Sequence, residues 1–289
     1  MKIIRTARSM QRLAESLRLK QTIGLVPTMG ALHAGHAELV RACRRRADVT
    51  VVSIFLNPMQ FGPGEDLARY PRNLAADRAM LCGLGANVLF LPSVAEMYPH
   101  GFCSYVNVER LTTGLCGASR LHHFRGVTSV VAKLFNIVKP HVAVFGRKDY
   151  QQLVVVRRFV RDLNFDVRVV AIPTVREQDG LAMSSRNACL SPDARAAAPE
   201  LYLALRAARR ASSAGELRAA RLTDLVRTRV EASGARVDYV ELVDAEELRP
   251  LRHLAGPAVL AAAAFFGGTR LIDNITLGGR RGGRSPYLS

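Results

Sequence analysis

Apolar positions along this chain alternate between two rhythms, β-branched runs and helical stripes. Residues 22–26 form a short β-branched run, and residues 49–56 are almost wholly apolar. Between them, from Ala37, the apolar Leu39, Val40, Cys43 and Ala47 fall three to four apart, with Arg41, Arg44, Arg45 and Arg46 on the opposite face. That spacing predicts strand, amphipathic helix and strand within about 35 residues, a βαβ unit whose strands run parallel. Pro27 is expected to end ladder pairing and Gly30 to allow a sharp turn. The rhythm then recurs. Helices are expected over 7–17, 73–84, 127–138 and 150–163, and strands over 87–91, 142–145 and 167–172. The intervening 92–120 looks irregular, with one short strand at 104–108 and a glycine-containing loop at 114–117.

Past Ser191-Pro192-Asp193, a helix-start signal, the chain becomes rich in alanine and arginine through about 233, and then 237–243, 259–266 and 271–275 read as strands. These patterns predict an α/β protein: a parallel sheet domain over 1–175 and a smaller α+β C-terminal domain over 176–289, with a flexible tail from about 278. Five scattered cysteines without Cys-x-x-Cys spacing suggest neither a disulfide framework nor a zinc site. No apolar run approaches a membrane span and no signal-peptide pattern opens the chain, so a cytoplasmic location is expected. The formal net charge of +17 would ordinarily suggest nucleic acid or an anionic membrane as a partner. Only five of the 41 basic residues are lysine, and the arginines are spread over the whole chain rather than gathered in one stripe. No specific nucleic acid and no membrane partner is expected.

The chemistry concentrates where strands end. Met29-Gly30-Ala31-Leu32-His33-Ala34-Gly35-His36 follows the first strand of the βαβ unit and leads into its helix. A helix N-terminus there offers free N–H groups and a positive dipole end, so backbone and imidazole donors together suit a polyphosphate. Gly146-Arg147-Lys148-Asp149 repeats the arrangement after the strand at 142–145, and Met183-Ser184-Ser185-Arg186 adds hydroxyls and a guanidinium. Only an acceptor-rich ligand suits such a set. A metal site fits poorly, since no third ligand follows the histidines at familiar spacing, and no Gly-x-Ser-x-Gly marks a serine nucleophile. Gln60 and Gln152 are neutral groups suited to a small polar substrate, and Asp149 to a ribose hydroxyl.

Several segments together carry a specific resemblance. Residues 27–36, Asn57-Pro58-Met59-Gln60-Phe61-Gly62, Lys148-Asp149-Tyr150-Gln151-Gln152, residues 179–187, Asp238-Tyr239-Val240-Glu241 and Thr269-Arg270-Leu271-Ile272-Asp273-Asn274 resemble, in order, the pantothenate synthetase (pantoate–β-alanine ligase) family. The resemblance implies a Rossmann-like ATP- and pantoate-binding domain of the HIGH-type nucleotidyltransferase superfamily, a C-terminal lid domain and a homodimer. It implies Mg²⁺-ATP, pantoate and β-alanine as substrates and a pantoyl adenylate as intermediate. Carried over by position, Met29, Gly30, Ala31, Leu32, His33, Ala34, Gly35, His36, Gly146, Arg147, Lys148, Asp149, Val175, Met183, Ser184, Ser185 and Arg186 bind ATP. His36, His33 and Lys148 act in catalysis, His36 as acid or as phosphate donor, and Gln60 and Gln152 bind pantoate. The Mg²⁺ ligands are not assigned; Asp66, Asp77 and Glu109 are the acidic residues in that region.

The chain departs from the family pattern at Arg147, where glutamate is usual, at His141 for aspartate, at Leu121-His122 for Pro-Gly, and at Cys189 for tyrosine. Three other readings stand beside the ligase. One is a related nucleotidyltransferase that stops at a nucleotide-linked product, the second a catalytically weakened paralogue, and the third a basic binding protein that keeps the motifs as scaffold.

Overall fold

Two neighbouring β-branched runs, both buried, set the centre of the first sheet in the computed structural model, which describes residues 1–278. The tail from 279 onward lies outside the described residues. β1 (Lys2–Ile4), α1 (Ala7–Arg18), β2 (Ile23–Thr28), α2 (Ala34–Arg44), β3 (Val49–Ile54), α3 (Leu74–Gly83) and β4 (Val88–Phe90) come first. After the short helices α4 (Val94–Met97) and α5 (Cys116–Ser119) come α6 (His123–Val138), β5 (Val142–Gly146), α7 (Tyr150–Asp162) and β6 (Arg168–Ile172). The six strands form one parallel sheet in the order β1-β4-β3-β2-β5-β6. From β2 the chain winds outward to β3 and β4 on one side and later to β5 and β6 on the other. The topological switch therefore lies between β2 and β5, where open α/β sheets bind ligands at their carboxyl edge.

β2 is buried from Ile23 through Val26 because helices cover it on both sides. Val26 packs with Val40, Ala42 and Cys43 of α2 and with Val52 and Val144 of the flanking strands. Alternation turns Leu25 to the opposite face, where α1 and α6 lie. Gly24 lets α2 approach closely, since a Cβ there would overlap Cys43 Sγ.

Pro27 does not end β2, which pairs with β3 through Thr28. The ladder to β5 runs only over Gly24 and Leu25, so at Pro27 the strand is paired on one side, where proline is tolerated. The expected strand at 104–108 is absent. Its backbone is bonded by side chains of α6 instead: Val106 N–H donates to Ser129 Oγ (3.0 Å), and Thr128 Oγ1 donates to Val106 O (2.6 Å). β1 carried no periodic signal, being three residues long.

The chain packs as two compact units. One comprises 1–109, 120–147 and 155–173, and the other 110–119, 148–154 and the residues from 174. The second thus takes in two short segments that a single boundary near 175 does not separate out. Its later elements are α8 (Pro192–Ala197), α9 (Glu200–Ser213), α10 (Ala219–Ala232) and an antiparallel sheet of β7 (Arg236–Asp244), β8 (Ala258–Phe266) and β9 (Thr269–Leu277), in the order β7-β8-β9. Leu201, Leu205, Leu222 and Val226 of the helices pack on Leu242, Leu260 and Ile275 of this sheet.

Two of the family departures have local explanations. His141 Nδ1 accepts from Ile23 N–H (2.9 Å), so the imidazole supplies the acceptor that an aspartate would. His122 has φ 69, a left-handed conformation at the start of α6 that glycine adopts without strain. Nothing in the structure explains Cys189, which is exposed.

Within α6, a Cβ on Gly126 would overlap the Met59 carbonyl and Gln60 N. Gly126→Ala is therefore expected to destabilise the fold by about 1–3 kcal/mol, the usual range for overpacking, as measured by urea unfolding.

Candidate active site

The turn after β2 is built around one carboxylate. Gly30 and Ala31 both take positive φ, 85 and 51. This aims the amides of Ala31 and Leu32 at Asp77 of α3, whose buried carboxylate accepts both at 3.0 and 2.7 Å. Gly30 N–H donates to Thr28 Oγ1 (3.3 Å). The helix that follows begins at Ala34, three residues earlier than its apolar stripe indicated, because His33 is its N-cap. His33 Nδ1 accepts from Gly35 N–H (3.1 Å), and His36 Nδ1 accepts from His33 N–H (3.3 Å), a reciprocal capping box made by two imidazoles. The rings lie 4.1 Å apart, centroid to centroid.

Two consequences follow. First, the amides of Gly30, Ala31, Leu32, His33 and Gly35 are all spent within the protein. The sequence suggested that they would meet a phosphate; here they hold the turn. Second, an imidazole nitrogen that accepts carries no proton, so the hydrogen-bond network assigns both rings the Nε2–H form. They are suited to donate through Nε2 as neutral groups. Gly146, the last residue of β5, and Arg147 after it belong to the same unit, and β5 neighbours β2.

Gln60 is fixed from every side. It is buried in a short 3-10 turn, Pro58–Gln60, where its Oε1 accepts from Asn57 Nδ2 (3.1 Å) and its Nε2 donates to Met29 Sδ (2.8 Å). Asn57 is held in turn by Tyr98 OH on its Oδ1 (2.8 Å) and by its own donation to Gly126 O (3.1 Å). The Gln60 carbonyl accepts from Arg120 Nη2 (3.1 Å) and lies 2.8 Å from His123 Nδ1. Arg120 is anchored on Glu65. Partial burial pushes the Glu65 carboxyl up, but the Arg120 guanidinium, the His123 charge and the Gly62 N–H overcome this and hold it below its ordinary value.

The second unit contains the remaining candidates. Lys148 and Asp149 lie in the 3-10 turn Arg147–Asp149, and Lys148 Nζ is 3.4 Å from Met183 O. Val175 and Met183 pair across a hairpin, with Met183 N–H donating to Val175 O (2.9 Å). Ser184 caps the 3-10 turn Ser185–Cys189 by accepting from Arg186 N–H (3.3 Å). The two adjacent glutamines separate clearly. Gln151 is buried and structural, its Oε1 accepting from Cys116 N–H and its Nε2 donating to the carbonyls of Leu111 and Gly114. Gln152 is half-buried, and its side chain makes no hydrogen bond among the described residues.

Sequence reasoning weighed Asp77 only as an acid near a metal and gave Asn57, Arg120 and His123 no role of their own. The spacing of Asp77 from the turn gives no signal, because the contact joins positions 46 residues apart. Among the described residues no three His, Cys, Asp or Glu side chains are grouped to hold a metal ion. No helix there is long and apolar enough to cross a membrane.

Comparisons with known proteins point one way. A family model described as pantoate-beta-alanine ligase matches residues 2–276. The pantothenate synthetase of Geobacter sulfurreducens is 53% identical over 280 residues, covering 96% of this chain and 99% of that protein. That of Moorella thermoacetica is 54% identical over 257 residues, covering 89% and 91%. Among solved structures, the pantothenate synthetase of Thermus thermophilus superposes with a TM-score of 0.90 at 48% identity, covering 95% of this chain and 99% of that one. The pantoate-beta-alanine ligase of Francisella tularensis, solved in complex with beta-gamma ATP and beta-alanine, gives 0.80 at 34% identity, covering 95% and 97%.

Two measurements check this geometry. Nitrogen-15 spectra at neutral pH are expected to show Nδ1 unprotonated and Nε2 protonated in both His33 and His36. Because the Glu65 pKa is depressed on folding, its stabilisation is present above the ordinary glutamate value of 4.5 and is lost as pH falls through the folded value. The melting temperature of wild type relative to Glu65→Gln is therefore expected to narrow on acidification below that point.

Proposed function

The chain belongs to the pantoate-beta-alanine ligase family, and on that premise we propose how its residues carry the ATP-dependent ligation of pantoate and β-alanine through a pantoyl adenylate. A free carboxylate is a poor acyl electrophile, so the acid must be activated. In the first step a pantoate carboxylate oxygen attacks the α-phosphorus of ATP; the new O–P bond forms as the bond to pyrophosphate breaks. In the second the β-alanine amine attacks the acyl carbon, loses a proton and expels AMP, leaving pantothenate.

Transfer at phosphorus asks the protein mainly for alignment and charge stabilisation. The observation that carries this reading is the pair of capped imidazoles at the carboxyl edge of β2, beside the topological switch. Neutral Nε2–H groups on His33 and His36 donate to phosphate oxygens, which favours the donor role for His36 over that of a proton-transferring acid. Lys148 supplies positive charge to the same phosphates, and Asp149 accepts from the ribose. Met29, Gly30, Ala31, Leu32, Ala34, Gly35, Gly146, Arg147, Val175, Met183, Ser184, Ser185 and Arg186 complete the ATP contacts, with Gly30, Ala31, Leu32 and Gly35 contributing through atoms other than their committed amides. Gln60, pre-oriented by Asn57 and Met29, and Gln152, whose amide has no other partner among the described residues, hold pantoate.

Mg²⁺ would enter as part of the Mg–ATP substrate, and Asp77 is committed to the turn. Residues 1–175 as the ATP- and pantoate-binding domain, 176–289 as a lid domain, a homodimer and a cytoplasmic location belong to the same proposal, on the family resemblance.

The test is AMP release measured with ATP, pantoate and β-alanine, omitting each in turn. AMP is expected only with all three, and pantoate-dependent pyrophosphate release without β-alanine marks the adenylate. Pyrophosphate release with no amide on adding β-alanine would instead identify a nucleotidyltransferase. His36→Ala is expected to lower turnover about 10²-fold, and an unchanged rate would sink its role.

A further inference from the structure

Two adjacent residues of β9, Asp273 and Asn274, hold two separate pieces of the second unit. Successive side chains of a strand point to opposite faces, so one dipeptide reaches both ways. Their partners on β8 are Ala262 and Ala261, whose small side chains leave room for polar groups. Asp273, buried, takes Arg176 Nη1 at 2.5 Å and Nη2 at 2.9 Å, and also accepts from Asn274 N–H (2.8 Å). Burial pushes its carboxyl up, against the pull of Arg176, that N–H and the Lys148 charge. Arg176 in turn donates to Gly180 O (3.1 Å) and lies 3.5 Å over the ring of Tyr202. It thereby locks the hairpin in which Arg176 bridges to Ala182 and from which Met183, Ser184 and Ser185 emerge.

Asn274 Nδ2 donates to the Lys148 carbonyl at 2.8 Å. Lys148 Nζ returns to Met183 O at the end of that hairpin. A circuit results: strand to hairpin through Asp273 and Arg176, hairpin to Lys148 through Met183, and Lys148 back to the strand through Asn274. A lysine side chain has many rotamers, and its charge is delivered to one place only if its backbone is fixed.

We propose that Asn274 is a positioning residue for Lys148: its carboxamide fixes the 3-10 turn from which the lysine side chain departs toward the ATP phosphates. This rests on the role given to Lys148 above. Asn274 touches no reacting atom, so its effect must pass through Lys148 and vanish when the ammonium is absent.

A double-mutant cycle on the purified full chain tests this, reading pantoate-dependent pyrophosphate release from ATP. Asn274→Ala in the native background is expected to lower kcat about 10-fold or more, with KM for pantoate unchanged. In a Lys148→Ala background the same substitution is expected to cost less than about 2-fold. Asn274→Asp, which keeps the size but cannot donate to the carbonyl, is expected to repeat both results and serves if the alanine variant does not fold. An unchanged kcat overturns the proposal, as do equal losses in the two backgrounds or failure of both variants to fold. If Lys148→Ala alone leaves the rate intact, the reading of Lys148 has failed and the positioning role falls with it, an outcome distinct from the others.

Discussion

The buried carboxylate of Asp77 is the constraint on which the first unit's candidate chemistry depends. The turn after β2 must reverse direction within a few residues, and it does so by placing Gly30 and Ala31 at positive φ. Such a turn leaves consecutive amides pointing inward, and buried donors without acceptors are costly, about 1–3 kcal/mol each. Asp77 removes that cost for Ala31 and Leu32 together. With the turn closed, His33 arrives at the helix N-cap, and the two imidazoles can accept from the backbone amides that the helix start exposes. The tautomer of both rings is thus set by the backbone amides from which their Nδ1 atoms accept.

Fixing of this kind recurs elsewhere, where some side chains proposed to meet substrate are held by their neighbours. Gln60 is oriented by Asn57 and Met29, its carbonyl by Arg120 and His123, and Arg120 by Glu65. In the second unit Asp273 and Asn274 do for the hairpin and for Lys148 what Asp77 does for the turn. In each case a bonded neighbour holds a group in place, and preorganisation of this kind is what transfer at phosphorus draws on.

Much of the fold was legible from periodicity. The stripes of α2, α6 and α7 and the β-branched runs of β2, β3 and β5 are long enough for their burial pattern to show in sequence. Where the reading failed, a tertiary contact had replaced a local rule. Pro27 stays in its strand because only one side of it is laddered, and α2 starts early because histidine, an uncommon cap, serves as one. Residues 104–108 have the composition of a strand, yet their backbone is bonded by Thr128 and Ser129 instead of another strand. His141 departs from the family pattern and still supplies the expected acceptor, which shows that chemistry at a position can survive a change of residue type.

The sequence by itself determined the class of ligand and the family: a histidine pair after one strand, a lysine after another and a serine-arginine segment further on, in an order matched by known ligases across residues 2–276. These are local or ordered patterns, and order along a chain is what a sequence records. Only the tertiary structure decided which amides are spent, which of Gln151 and Gln152 is structural, and which strand residues hold Lys148. Those facts depend on contacts between positions 46, 35 and 126 residues apart, and no periodicity reaches across such distances.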